Sequence, residues 1–225
     1  KGREIMRNLS VSKLAGICFI LGGIMAFIPF LMSVLIGGPP EEGVHIFSYF
    51  AKNTVAGGDA SLIYVVLNAI GLSLVAYSTY ILNNMLQKNS PHALMGLGAF
   101  LFIVAQIGLI VAWSIDLAIV FGSETANIGN LFMMEMGMFF TWGPIGFVGA
   151  ALFSLALADR NYINPLFLRA AALVYLLTAV VFVNTLLTIE YYSASSIILL
   201  FSAVSIGQVI SIVWQVLVGR KLLAN

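Results

Sequence analysis

Residues 93–157 read ALMGLGAFLFIVAQIGLIVAWSIDLAIVF, then GSETANIG, then NLFMMEMGMFFTWGPIGFVGAALFSLAL. Each apolar run is longer than the roughly 20 residues a helix needs to cross a hydrocarbon core. The connection between them is short and rich in small and polar residues, so the stretch reads as two antiparallel membrane helices. Only two acids fall inside long apolar runs of this chain, Asp116 and Glu135, one in each helix. At a rise of 1.5 Å per residue both stand about 8 to 9 Å from the connected ends of their helices. Two carboxylates are thereby placed at one depth on neighbouring helices. Ionisable groups inside spans are costly and invite a functional reading, here a proton-exchanging or cation-coordinating pair. The alternative is a structural or interfacial pair, standing where the outer helical turns meet the headgroups.

Outward from this hairpin the same pattern repeats. Charged residues are 8% of the 225, against roughly 25% in a soluble domain, which leaves too few polar groups to cover a water-facing surface. Apolar runs at about 14–36, 60–85, 93–121, 130–157, 166–189 and 196–218 give six spans. The expected fold is all-α, a single domain comprising a six-transmembrane-helix bundle. The first run is too long for a secretory h-region of about 7–15 residues and is read as a retained span. Numbering begins at Lys1, so the true start is expected upstream. Pro29 within the first span removes a backbone donor, and a bend is expected there. Gly143 and Pro144 are read as an interruption of the fourth span.

Residues 37–59, GGPPEEGVHIFSYFAKNTVAGGD, form an outer loop too long for a tight hairpin. Within it Ile46, Phe47 and Phe50 recur at helical spacing. A short interfacial helix is the plain reading, and a lid over a site is the sharper one.

Six spans put both termini on one side with the second-to-third and fourth-to-fifth connections. Lys1, Arg3, Arg7, Lys13, Lys88, Arg160, Arg169, Arg220 and Lys221 collect there, and of the 10 basic residues only Lys52 lies opposite. The positive-inside rule then makes both termini cytoplasmic, and the expected location is multi-pass in a prokaryotic cytoplasmic membrane. The Asn8-Leu9-Ser10 glycosylation pattern falls on that same side and is not evidence of modification. The formal net charge of +1, with no basic patch, gives no reason to expect a nucleic-acid partner.

Other polar residues are candidates to line a site around the two acids. Gln106, Trp113 and Asp116 fall near one face of the third span, and Glu135, Phe139, Trp142 and Gly146 share a stripe on the fourth. Asn68 and Asn184 lie toward the outer halves of the second and fifth spans and read either as cavity lining or as interhelical hydrogen bonds. Met133, Met134, Met136 and Met138 suggest copper by composition, because soft sulfur suits Cu(I). Helical geometry argues against it: Met136 points roughly 160° from the Met134–Met138 face. His45 and His92 both lie in loops, and Cys18 stands alone, so no metal centre and no cofactor is expected. Small residues concentrate on the third and fourth spans, at Gly96, Gly98, Ala99, Ala105, Gly108, Gly137, Gly143, Gly146, Gly149 and Ala150. They mark these helices as central in the bundle or at a subunit interface. Gln208 and Gln215, seven apart, offer a second contact stripe. A three-plus-three inverted repeat finds no self-similarity beyond Pro29 and Pro144.

Three segments carry a resemblance: SKLAGICFILGG at 12–23, WGPIGFVGAALFSLAL at 142–157 followed by a basic, proline-bearing turn, and VISIVWQVLVG at 209–219. In layout the chain resembles a group of prokaryotic six-helix membrane proteins known only as a domain of unknown function. That resemblance implies a six-span fold and no particular activity. With no nucleophile elbow, phosphate-binding loop or cofactor ligand pair, an enzyme is not the expected reading. Composition favours an accessory or structural subunit, with the lipid bilayer and other membrane subunits, or further copies of itself, as partners. The alternative is a small transporter or proton-coupled carrier using the outer carboxylate pair.

The topology has a direct test. In a variant lacking Cys18, single cysteines replacing Ser90, Ser123 or the C-terminal residue are treated on intact cells with a membrane-impermeant thiol reagent. Only the cysteine at Ser123 should react, and labelling at the C-terminus would exclude this orientation.

Overall fold

A computed structural model of the chain describes residues 10–124 and 127–224. Lys1, Arg3, Arg7 and Asn8 lie outside the described residues. Among those described, the chain is all-helical, with seven helices and no strand. They are α1 (Val11–Gly37), α2 (Ile46–Gly57), α3 (Asp59–Asn89), α4 (Ala93–Phe121), α5 (Ile128–Asp159), α6 (Pro165–Thr188) and α7 (Ser195–Leu223). All but α2 are long and apolar enough to cross a membrane. The described residues thus form the six-span helical bundle of a multi-pass membrane protein.

Its exterior supports this. Phe100, Ile107, Val180, Leu187 and Ile206 are exposed on the outside of the bundle, where a soluble protein would carry charge. Helix ends are set by side-chain caps. His92 starts α4, Asn127 starts α5, and Asn164 followed by Pro165 starts α6. Each cap accepts a backbone N–H that the first helical turn leaves free.

The spans form a closed ring. Their principal contacts run α1–α3–α4–α5–α6–α7 and back to α1, so every span has two main neighbours. Because lipid is as apolar as a leucine side chain, such seams depend on close packing rather than on hydrophobic drive. Glycine supplies the approach at three of them. Between α1 and α3, a Cβ on Gly71 would stand 2.6 Å from Ala26 N and 2.7 Å from Gly22 O. Between α1 and α7, one on Gly16 would stand 2.7 Å from Gly219 O. Between α4 and α5, one on Gly98 would stand 2.5 Å from Phe153 N, and one on Gly149 would stand 2.5 Å from Phe102 N.

The α4–α5 seam follows a simple register. Gly98 and Phe102 meet Phe153 and Gly149, Ala105 meets Gly146, and Gly108 lies under the Trp142 ring. Each step of three or four residues along α4 is answered by the same step back along α5, which is the spacing of one helical face. α5 runs unbroken through Gly143 and Pro144, correcting the expected interruption. Gly143 is instead where the Phe182 ring of α6 packs on α5. α1 likewise continues through Pro29.

The two ends of the ring differ. At the end carrying the termini, Trp214 meets Phe19, Phe102 and Phe153 with ring centroids 5.5, 6.5 and 6.0 Å apart, filling the axis. Ser12 Oγ donates to Leu222 O at 2.8 Å, and Ser78 Oγ to Ala15 O at 2.9 Å, closing the seams around α1. Arg160 donates to Leu86 O at 3.3 Å and also to Ser90 O, tying the turns together. At the other end α2 lies across α3, α4 and α5.

The seam is testable in detergent. Gly98→Val drives a branched side chain into the backbone of α5 and should destabilise the bundle by about 1–3 kcal/mol, the usual cost of overpacking. Gly137→Ala, on the same pair of helices but with open space around it, should leave the melting temperature unchanged or raise it. Equal melting of the two variants would contradict the seam.

Candidate functional site

α4 and α5 bring the two in-span acids together. Continued along the same register, Asp116 of α4 and Glu135 of α5 come to lie beside each other as interacting neighbours on the wall of one cavity. Each residue is only 7% exposed. Both stand within about 8 to 10 Å of the connected helix ends, counted at 1.5 Å per residue.

A third group comes from α2. Thr54 Oγ1 donates to Asp116 Oδ1 at 3.1 Å. That single contact spans from the loop helix to the buried pair. Glu135 Oε2, by contrast, is buried and has no hydrogen-bond partner. An acceptor in that condition is expensive, since its lost hydration is not replaced.

Both acids line a partly open cavity of about 520 Å³ at the α2 end of the ring. Phe30 of α1, Phe50 of α2, Tyr64 of α3, Trp113 of α4, Phe132 and Phe139 of α5 and Phe201 of α7 all contribute to its wall. Among the described residues no lysine, arginine or histidine does. Phe50 forms the roof, its ring 5.7 Å from Phe132 and 5.3 Å from Phe201, centroid to centroid. A second, smaller cavity of about 70 Å³ lies further along the axis and shares Phe139 as a wall. Gln106, Gln208, Ser211 and Gln215 line it, and beyond it stands the Trp214 cluster.

α2 owes its position to both flanks. Ile46, Phe47 and Ala51 are buried in the protein. Ile46 N donates to Tyr191 O and Gly43 N to Tyr192 O, each at 2.9 Å, pinning the start of the helix to the α6–α7 connection. His45 caps it, with Nδ1 accepting from Ser48 N at 3.4 Å. Asn53 Nδ2 reaches Gly37 O at 3.3 Å, and Tyr49 OH donates to the same carbonyl. The chain enters and leaves through Gly43 and Gly58, with φ of 82° and 50°. Those left-handed conformations suit a residue without a Cβ.

Of the other candidate residues, Trp113 lines the large cavity and Gln106 the small one. Trp142 covers Gly108 in the α4–α5 seam and lines neither. Asn68 is buried between α3 and α1, donating to Ala26 O at 3.4 Å, an interhelical hydrogen bond just before Pro29. Asn184 is exposed on α6, so the structure does not bring it to the site. α6 touches α5 and α7 rather than α4, and that face of it points outward. Met133 and Met134 are exposed while Met136 lines the cavity, so the methionine sulfurs diverge. Gln208 and Gln215 point into the ring, where Gln215 packs against Gly23, and not toward an outside partner.

Sequence reasoning missed Thr54, Tyr64 and the serines of α7, Ser202 and Ser205, which also line the cavity. Ser202 and Ser205 carried a signal, three apart on one face of α7, whereas Thr54 depends on how α2 folds back. Among the described residues no group of three His, Cys, Asp or Glu side chains is placed to hold a metal ion. Compared with known proteins, the chain matches no family model, no curated protein and no solved structure.

Proposed function

We propose that the protein is a small membrane carrier that takes up a proton or a cationic solute at the Asp116–Glu135 pair, in a state whose partly open cavity lies at the α2 end. The observation that carries this reading is the buried, partnerless Glu135 oxygen on the wall of a 520 Å³ cavity beside a second carboxyl. Two carboxylates in contact within an apolar wall repel each other and lack hydration, and a shared proton or a bound cation relieves both penalties. The polar groups of the small cavity continue the axis inward. The Trp214 cluster closes the terminal end, the asymmetry that alternating access calls for.

With the basic residues Lys13, Lys88, Arg160, Arg169, Arg220 and Lys221 at the terminal end, the positive-inside rule makes that end cytoplasmic. The cavity then faces away from the cytoplasm of a prokaryotic cell. The accessory-subunit role that composition favours drew on small-residue faces free to pack against other subunits. In the structure Gly98, Gly149, Gly22 and Gly71 are used between spans of this chain, so the geometry favours the carrier.

The test is reconstitution into liposomes holding a pH-sensitive dye, with a potassium diffusion potential imposed. The parent protein should acidify the lumen faster than protein-free liposomes, and Asp116→Asn and Glu135→Gln should each slow this at least tenfold while eluting as folded particles. No acceleration by the parent, or equal rates for all three, would refute the reading.

A further inference from the structure

The cavity's shape and chemistry narrow what it takes. Resting on the carrier reading of the same cavity, we propose that its ligand is a hydrophobic amine in its protonated, N–H-bearing form, an amphiphile whose ammonium group meets Glu135 and Asp116. An anion finds no positive side chain among the described residues of the wall. A bare divalent metal ion needs about six oxygen ligands, mostly charged ones, whereas beyond the two carboxyls the wall offers only neutral groups, Asn53 and the hydroxyls of Thr54, Ser61, Tyr64, Ser202 and Ser205, and among the described residues no third acid joins the pair. A neutral hydrocarbon would fit the wall but would leave Glu135 Oε2 unpartnered.

An organic cation answers each feature. The volume lies within the 300–1,000 Å³ usual for drug-sized ligands. Aromatic faces, Trp113 and Phe132 among them, attract a cation above the ring. The empty acceptor on Glu135 asks for a donor, which a protonated amine carries and a quaternary ammonium does not.

The entry route suits an amphiphile. α1 and α7 touch through Gly16 and Gly219 and again at Gly23 and Gln215, all in their terminal halves. Toward the other end Met32 of α1 and Ile198 of α7 both line the cavity, and Ile198 is 45% exposed. Lateral entry from the bilayer, between these two helices, is part of the proposal.

The experiment uses the full chain in lipid nanodiscs, with empty nanodiscs subtracting partition into lipid. Three probes share one naphthylmethyl body: the dimethylamine, its trimethylammonium analogue and a neutral isostere. The dimethylamine should bind saturably, one per chain, at least tenfold more tightly than either analogue, and Glu135→Gln should abolish that preference. In parallel, a hydrophobic carbodiimide should modify the acid pair, and the dimethylamine should protect it. Modification without protection, or equal affinity for the neutral isostere, would overturn the amine proposal while leaving the pair as a reachable site. No modification at all would overturn the amine proposal together with the carrier reading beneath it.

Discussion

The backbone contact between α4 and α5 is the constraint on which the remaining architecture depends. Gly98 and Gly149 let two helices meet at backbone distance, where a single methyl group would collide with main-chain atoms. Once that contact is made, the register of the whole hairpin is fixed. Ala105 and Gly146 follow, then Gly108 beneath Trp142, and at the far end the acids come face to face. A carboxyl pair this close in an apolar setting needs strong enforcement, and a rigid seam running most of the helix length provides it. The stability that packing contributes along the seam offsets the cost of the polar contact at its end.

The second constraint is the asymmetry of the ring. One set of six helices is filled with aromatic rings at the terminal end and hollow at the other. The difference has a local cause: Trp214, Phe19, Phe102 and Phe153 converge where α1 and α7 touch. At the opposite end the axis is left to α2, a short helix whose Phe50 reaches across to α5 and α7. α2 is held by backbone and side-chain hydrogen bonds at its start and by Thr54 at its end. It is thus both roof and ligand to the pair.

Much of this was legible in the sequence, and the physical reason is plain. Hydrophobic length reports directly on membrane crossing, so the six spans and the all-helical class followed from apolar runs alone. The matched depth of Asp116 and Glu135 followed from a short connection and a constant rise per residue. Asn184 illustrates the limit: its depth in the span was readable, but its direction depends on which helices flank α6, and a ring order is a tertiary fact. Thr54 illustrates another. Nothing in NTVAGG announces that its hydroxyl turns back into the bundle, because that depends on Gly43 and Gly58 bending the chain at either end of α2. Gly143 and Pro144, read as a break, sit inside a continuous helix, and Gly143 serves instead as the place where the Phe182 ring of α6 packs.

The central claim, that the α4–α5 register presses Asp116 and Glu135 together, is most directly tested by cross-linking. In a Cys18→Ala background with a protease site inserted in the connection at residues 122–127, Asp116→Cys and Glu135→Cys are combined and oxidised in native membranes. Most of the cleaved chains should remain joined until reduced, and the pair Asp116→Cys with Asn184→Cys should not. Equal and low joining of both pairs, in protein that is otherwise folded, would contradict the account.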